Sequence, residues 1–117
     1  MIMTEIKFTH DDNSKILTLD INGHAEYADE GQDIVCSAIS ILTYTLAEHI
    51  ALLYDGGMLE DKPVIKLNSG ETQIKCKAKD ETYHYIQNTF AFVRLGYAII
   101  ANTYPNNVKL LVNPTED

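Results

Sequence analysis

The sequence predicts an α+β domain in the order strand, strand, helix, strand, strand, helix, with a short fifth strand as a candidate at the end. Two observations carry that reading. Two pairs of segments alternate apolar and polar residues around turn-rich stretches, as hairpins do, and two longer segments repeat apolar residues every three or four positions, as helices with one buried stripe do. Two hairpins and two amphipathic helices assemble most simply as helices laid on an antiparallel or mixed sheet.

The first pair comprises Thr4 to Phe8, with Ile6 and Phe8 on one side, and Lys15 to Ile21, with Leu17, Leu19 and Ile21. His10-Asp11-Asp12-Asn13-Ser14 between them has the composition of a turn. After a loop bounded by Gly23 and Gly31, the residues Val35, Ile39, Leu42, Leu46, Ile50 and Leu53 form one helical stripe. Asp33 suits the N-cap of that helix, and Gly56-Gly57 suits its end.

Pro63 to Leu67 and Thr72 to Ala78 flank the turn Asn68-Ser69-Gly70-Glu71, with Ile74 and Cys76 on the face opposite Lys75 and Lys77. A second helix is expected from about Asp80, carrying Tyr83, Ile86, Phe90, Val93, Tyr97, Ile100 and Tyr104, and Pro105 stops it. Val108 to Val112 is the candidate fifth strand. Six apolar residues fall off these stripes: Ile34, Ile41 and Leu52 on the first helix, Phe92, Leu95 and Ile99 on the second. They call for either helix against helix within one subunit or a homodimer interface.

With 117 residues, 45% of them hydrophobic, the chain has the size and composition of a single domain spanning 1–117. Its longest uncharged apolar stretches are broken well short of the eighteen or so residues that a membrane span needs, and the first residues lack the pattern of a signal peptide, so the expected location is cytoplasmic. The formal net charge of −8 argues against direct binding of a nucleic-acid backbone. It suits a basic partner, and it also serves solubility without any partner.

The two cysteines stand forty residues apart without the spacing of a redox pair or a zinc site. Cys76 reads as core packing. Cys36 falls in the first turn of the first helix, where unpaired amides and the positive end of the helix dipole favour a thiolate. Asp33 opposes that effect unless its carboxylate is committed to capping or to orienting His24.

His24, twelve residues before Cys36, ends the second strand, so strand end and helix start must meet at one end of the domain. That placement permits a Cys–His dyad, with Ser40 one turn beyond Cys36 on the same side. The residue types alone favour the plainer reading, a small buried cysteine and a histidine that merely closes a strand. A metal site built from His24, Glu26, Asp29, Glu30 and Cys36 lacks any fixed ligand spacing, and neither metal nor cofactor is expected. His10, His49 and His84 read as structural or solvated.

The stretch GHAEYADEGQDIVCSAIS resembles the signature of the bacterial ribosomal-processing cysteine proteases (Prp), written as GHA, a short gap, then GxDIVCAAxS. The match runs through Gly23, His24, Ala25, Gly31, Asp33, Ile34, Val35, Cys36, Ala38 and Ser40, and YPNNVKL near the C-terminus is similar to the family's Tyr-Pro ending. Ser37 stands where the family usually has Ala.

The resemblance implies a thiol endopeptidase with Cys36 as nucleophile and His24 as general base and acid. Asp33 and Ser40 would support them, and Gly23 and Gly31 would let a loop close over the site. It further implies homodimers, and as substrate an N-terminally extended ribosomal protein, number twenty-seven of the large subunit, cut after a Phe-Phe pair. Two other readings compete: a noncatalytic acidic assembly factor that binds a basic ribosomal protein, and a thiol redox sensor using Cys36 without a resolving partner.

Overall fold

The computed structural model describes residues 3–23, 34–68 and 70–113. The order is β1 (Thr4–Asp11), β2 (Ile16–Asn22), α1 (Ile34–Asp55), β3 (Val64–Asn68), β4 (Glu71–Lys77), α2 (Tyr83–Thr103) and β5 (Val108–Val112). The five strands form one mixed sheet in the order β3-β4-β2-β1-β5. The two expected hairpins, β1–β2 and β3–β4, are joined by antiparallel pairing of β2 with β4, and β5 runs parallel to β1 at the far edge.

The register explains why both helices share one side. Ile6 lies opposite Ile21, Phe8 opposite Leu19, Leu19 opposite Ile74 and Leu17 opposite Cys76, so one continuous apolar face results. The other face carries Glu5, Lys7, Asp20, Lys75 and Lys77, which alternation turns to the opposite side. Only the first face needs cover. Phe8 meets Phe90 edge-on at 6.2 Å and Tyr97 at 5.6 Å, which seats α2 over β1. α1 covers β2 and β4, where Leu17, Leu19, Ile74 and Cys76 are all buried.

The expected stripes are the buried ones. Val35, Ile39, Leu46, Ile50 and Leu53 of α1 and Tyr83, Ile86, Phe90, Tyr97 and Ile100 of α2 are buried, while Leu42, Val93 and Tyr104 are partly so. Between the helices, the Tyr97 hydroxyl and Thr43 Oγ1 share a buried hydrogen bond of 2.7 Å, and Thr43 also donates to the Ile39 carbonyl. α1 ends as expected at its glycines. Gly57 takes φ +76°, the Met58 N–H donates to the Leu53 carbonyl and the Gly57 N–H to that of Tyr54, which is a Schellman cap.

Three expectations shift. β1 runs on through His10 to Asp11, because the His10 N–H donates to Asn113 Oδ1 and the Asn113 N–H to the Phe8 carbonyl, which extends the sheet into the stretch read as a turn. α2 begins at Tyr83 instead of near Asp80, since Thr82 Oγ1 donates to the Met58 carbonyl and the Thr82 N–H to that of Lys79, holding this segment as a turn. Finally, α1 is long and apolar enough to cross a membrane by length and composition, Glu48 and Asp55 being its charged residues. Its buried stripe against the sheet is that of a core helix in a two-layer domain.

Candidate active site

One end of the domain gathers the segments that matter. β2 ends there at Asn22, α1 begins there, the β3–β4 turn closes there, and the chain between α2 and β5 returns there. Cys36 is the third residue of α1 and is partly buried. The first turn of α1 carries no acidic side chain, and its amides have no carbonyl one turn earlier within the helix to bond. Chemically this is a place that favours a thiolate and could hold an oxyanion. Ser40, one turn on, lies on the same side and is also partly buried.

Gly23, the residue before His24, is held from two directions. Its N–H donates to the Gly70 carbonyl at 3.0 Å, which ties it to the β3–β4 turn. On the other side, a Cβ at this position would lie 2.5 Å from the Met3 carbonyl oxygen, and the backbone takes φ +92°. Only glycine fits a chain that must pass so close to a neighbouring backbone in that conformation. Gly23 therefore sets the direction in which the chain leaves the sheet. His24, Gly31 and Asp33 lie outside the described residues, as do Glu26, Asp29 and Glu30.

The remaining histidines and the second cysteine stand apart. Cys76 is buried against the core under α1, and burial pushes its thiol from 9.0 up to about 12. His10 is engaged with Asn113 on the far side of β1, and His49 stacks obliquely near Tyr85, 6.4 Å between ring centres. His49 lines a groove of about 570 Å³ between the helices with Thr45, Tyr85 and Phe92. Thirteen residues along a helix place that groove on the order of 20 Å from Cys36. It is not part of the Cys36 site.

Sequence reasoning missed the partners of Gly23. The Gly70 carbonyl and the Met3 carbonyl reach it through pairings distant in sequence, which no local pattern announces. It also missed Thr4, at the β1 end beside Gly23, whose buried hydroxyl has no hydrogen-bond partner among the described residues.

The model of the cysteine protease Prp family matches residues 3–109. The chain belongs to that family. Solved structures share its fold. SMU.848 from Streptococcus mutans is similar at 24% identity with a TM-score of 0.67, covering 94% of this chain and 93% of its own. The essential ribosomal processing protease Prp from S. aureus, with a covalently linked product peptide, is 20% identical with a TM-score of 0.63, covering 94% and 99%. The same S. aureus protein with a substrate peptide is 19% identical with a TM-score of 0.58 over the same shares. No curated protein sequence matches the chain.

Proposed function

We propose that this chain is a cysteine endopeptidase of ribosome maturation. Cys36 is its nucleophile and His24 its general base and acid, with Asp33 and Ser40 in support. The observation that carries the reading is the position of Cys36 in the first turn of α1, at the end of the sheet where β2 hands over to His24, in a chain of a cysteine protease family.

In the reaction, His24 takes the Sγ proton of Cys36 and the thiolate attacks the scissile carbonyl carbon. The oxyanion so formed is held by amides at the start of α1. Collapse of this intermediate breaks the C–N bond, and His24 returns the proton to the leaving amine. Water, deprotonated by His24, then hydrolyses the thioester and regenerates Cys36. The chemistry calls for neither metal nor cofactor.

The substrate is the N-terminal extension of large-subunit ribosomal protein twenty-seven, removed after a Phe-Phe pair in the cytoplasm by a homodimer of this chain. The net charge of −8, with three acidic residues between His24 and Asp33, suits capture of a basic ribosomal protein. Incubating the extended protein with wild type, Cys36→Ala and His24→Ala, and reading products by mass spectrometry, tests the proposal. One cut after Phe-Phe is expected from wild type. Cys36→Ala should give none, and His24→Ala at least about a hundredfold less. Cleavage by Cys36→Ala would remove the nucleophile, and binding without cleavage by wild type would make the chain an assembly factor.

A further inference from the structure

β3 is an edge strand, and its exposed edge leads to the end of the domain that holds Cys36. All five of its residues are exposed or only partly buried, Val64 38% and Leu67 40% exposed among them. Within the described residues no strand pairs with its outer side.

The hydrogen-bond phase of this edge follows from its neighbours. In an antiparallel pair, both backbone groups of a residue point to the same side, and successive residues alternate. The Gly23 N–H donates to the Gly70 carbonyl, and the Ala78 N–H to that of Lys15, so even-numbered residues of β4 point to β2. The Glu60 N–H donates to the Lys77 carbonyl, so odd-numbered ones point the other way, towards β3. Glu71, Gln73 and Lys75 therefore bond to Asn68, Lys66 and Val64, their register partners. That leaves Ile65 and Leu67 with N–H and C=O directed out of the sheet, and their side chains, opposite Ile74 and Thr72, lie on the helix-covered face.

α1 presents its catalytic flank to the same side. Leu42 packs on α2, where a Cβ at Gly96 would fall 2.7 Å from its Cδ1, and His49 lines the groove between the helices. With Ile39, Leu46 and Ile50 facing the sheet, a turn of about 100° per residue puts Leu42 and His49 on one flank and Cys36 and Ser40 on the other. That other flank lies across the sheet-facing stripe from the groove, on the side of β4 and β3, and the long Tyr97 side chain reaches under α1 to Thr43 beside it. An outward ladder, two apolar side chains beside it and the Cys36 flank thus converge on one track, closed at its end by the turn that holds Gly23.

We propose that the substrate peptide binds as a sixth strand on β3, bonded to the backbone of Ile65 and Leu67. Alternate peptide side chains then rest on Ile65 and Leu67 beneath the flank of α1. This rests on the protease reading and names how its substrate is held. The occupant is an extended, uncharged stretch of peptide, because an endopeptidase must draw the scissile bond out straight and the edge offers main-chain partners with apolar contacts. Pro63 before the strand and Lys66 on its open face are the guards that keep such an edge from pairing indiscriminately.

The test is amide hydrogen exchange by NMR on full-length Cys36→Ala, with and without a peptide spanning the Phe-Phe cut, and separately a cleavage assay of the same peptide by wild type. The Ile65 and Leu67 amides should slow by tenfold or more with peptide, while those of Val64 and Lys66 are protected already. Unchanged exchange at Ile65 and Leu67 with saturating peptide overturns the proposal, whether or not wild type cuts. Protection there supports it, and the cleavage assay alone decides the protease reading. Protection that appears without peptide and grows with protein concentration gives the edge to a second copy and overturns the proposal. A second variant isolates the backbone: Leu67→Pro deletes an outward N–H and no β3–β4 bond, so the fold stays while KM rises about three- to tenfold. An equal rise in Leu67→Ala would assign the effect to the side chain and count against the ladder.

Discussion

At Gly23 a single missing Cβ decides where the chain leaves the sheet. Any side chain there meets the Met3 carbonyl at 2.5 Å with φ at +92°. Gly23→Ala is expected to cost about 1–3 kcal/mol of stability and to lower kcat/KM at least about tenfold, because the following residue is His24. Urea melts and peptide cleavage check both, and a variant of normal activity would separate Gly23 from the site. Cys76 supplies a second residue-scale expectation. Its thiol is raised by burial from 9.0 to about 12, so at neutral pH an alkylating reagent should label Cys36 and spare Cys76 in the folded protein. The same shift bears on stability. Below pH 9 both folded and unfolded chains keep the proton, and the stabilisation is intact. Between 9 and 12 only the unfolded chain releases it, so wild type should lose about 1.4 kcal/mol per pH unit relative to Cys76→Ala, read from urea melts at pH 7 and 10. The place of Cys36 was legible in the sequence because helix periodicity marks where α1 must start. The role of Gly23 was legible only as motif, since the carbonyl that excludes a side chain belongs to Met3, just before β1 and twenty residues away in sequence.

At the scale of elements, local signals were legible and long-range joints were not. Each hairpin announced itself by alternation around a turn, and each helix by its stripe, yet nothing in Lys15 to Ile21 says that β2 will pair with β4, or that β5 will run parallel to β1. Whether the helices lie on one or both sheet faces was not legible either: only the pairing puts Glu5, Lys7, Lys75 and Lys77 on one charged face and leaves both helices the other. How closely the helices approach is set at Gly96. A methyl there would meet only the movable end of Leu42, at 2.7 and 2.9 Å from its two terminal carbons. Gly96→Ala should therefore be near neutral, the helix-propensity gain of about 1 kcal/mol offsetting the displaced Leu42. Gly96→Val, with branches that cannot move aside, should destabilise by about 1–3 kcal/mol. Thermal unfolding distinguishes them, and a well-tolerated valine would mean that the helices are less closely seated than this contact requires.

The whole molecule buries one apolar stripe on each helix and leaves a second one outside. Phe92 is 76% exposed, Ile99 66%, Ile41 63%, Leu52 and Leu95 62%, and Ile34 57%. The sequence left open a choice between packing these residues inside one subunit and sharing them with a second, and among the described residues nothing covers them. Phe92, Leu95 and Ile99 recur at spacings of three and four, so they form a ridge along α2, and the groove between the helices lies directly beside Phe92. A ridge next to a groove is self-complementary when a copy is turned about a two-fold axis, which is how an isologous interface closes. A stable dimer buries about 800 Å² on each partner, and exposed faces of two helices of 22 and 21 residues supply that scale of surface. Sedimentation equilibrium at about 10 μM should then report twice 13.1 kDa for wild type. Leu95→Glu combined with Ile99→Glu should return it to one chain's mass at little cost to the fold, since outward substitutions usually stay within about 0.5 kcal/mol. A wild type that sediments as one chain would leave the ridge without its partner and end the dimer reading. If the double variant remained dimeric, the axis would have to lie elsewhere, with Ile34, Ile41 and Leu52 of α1 the next residues to change.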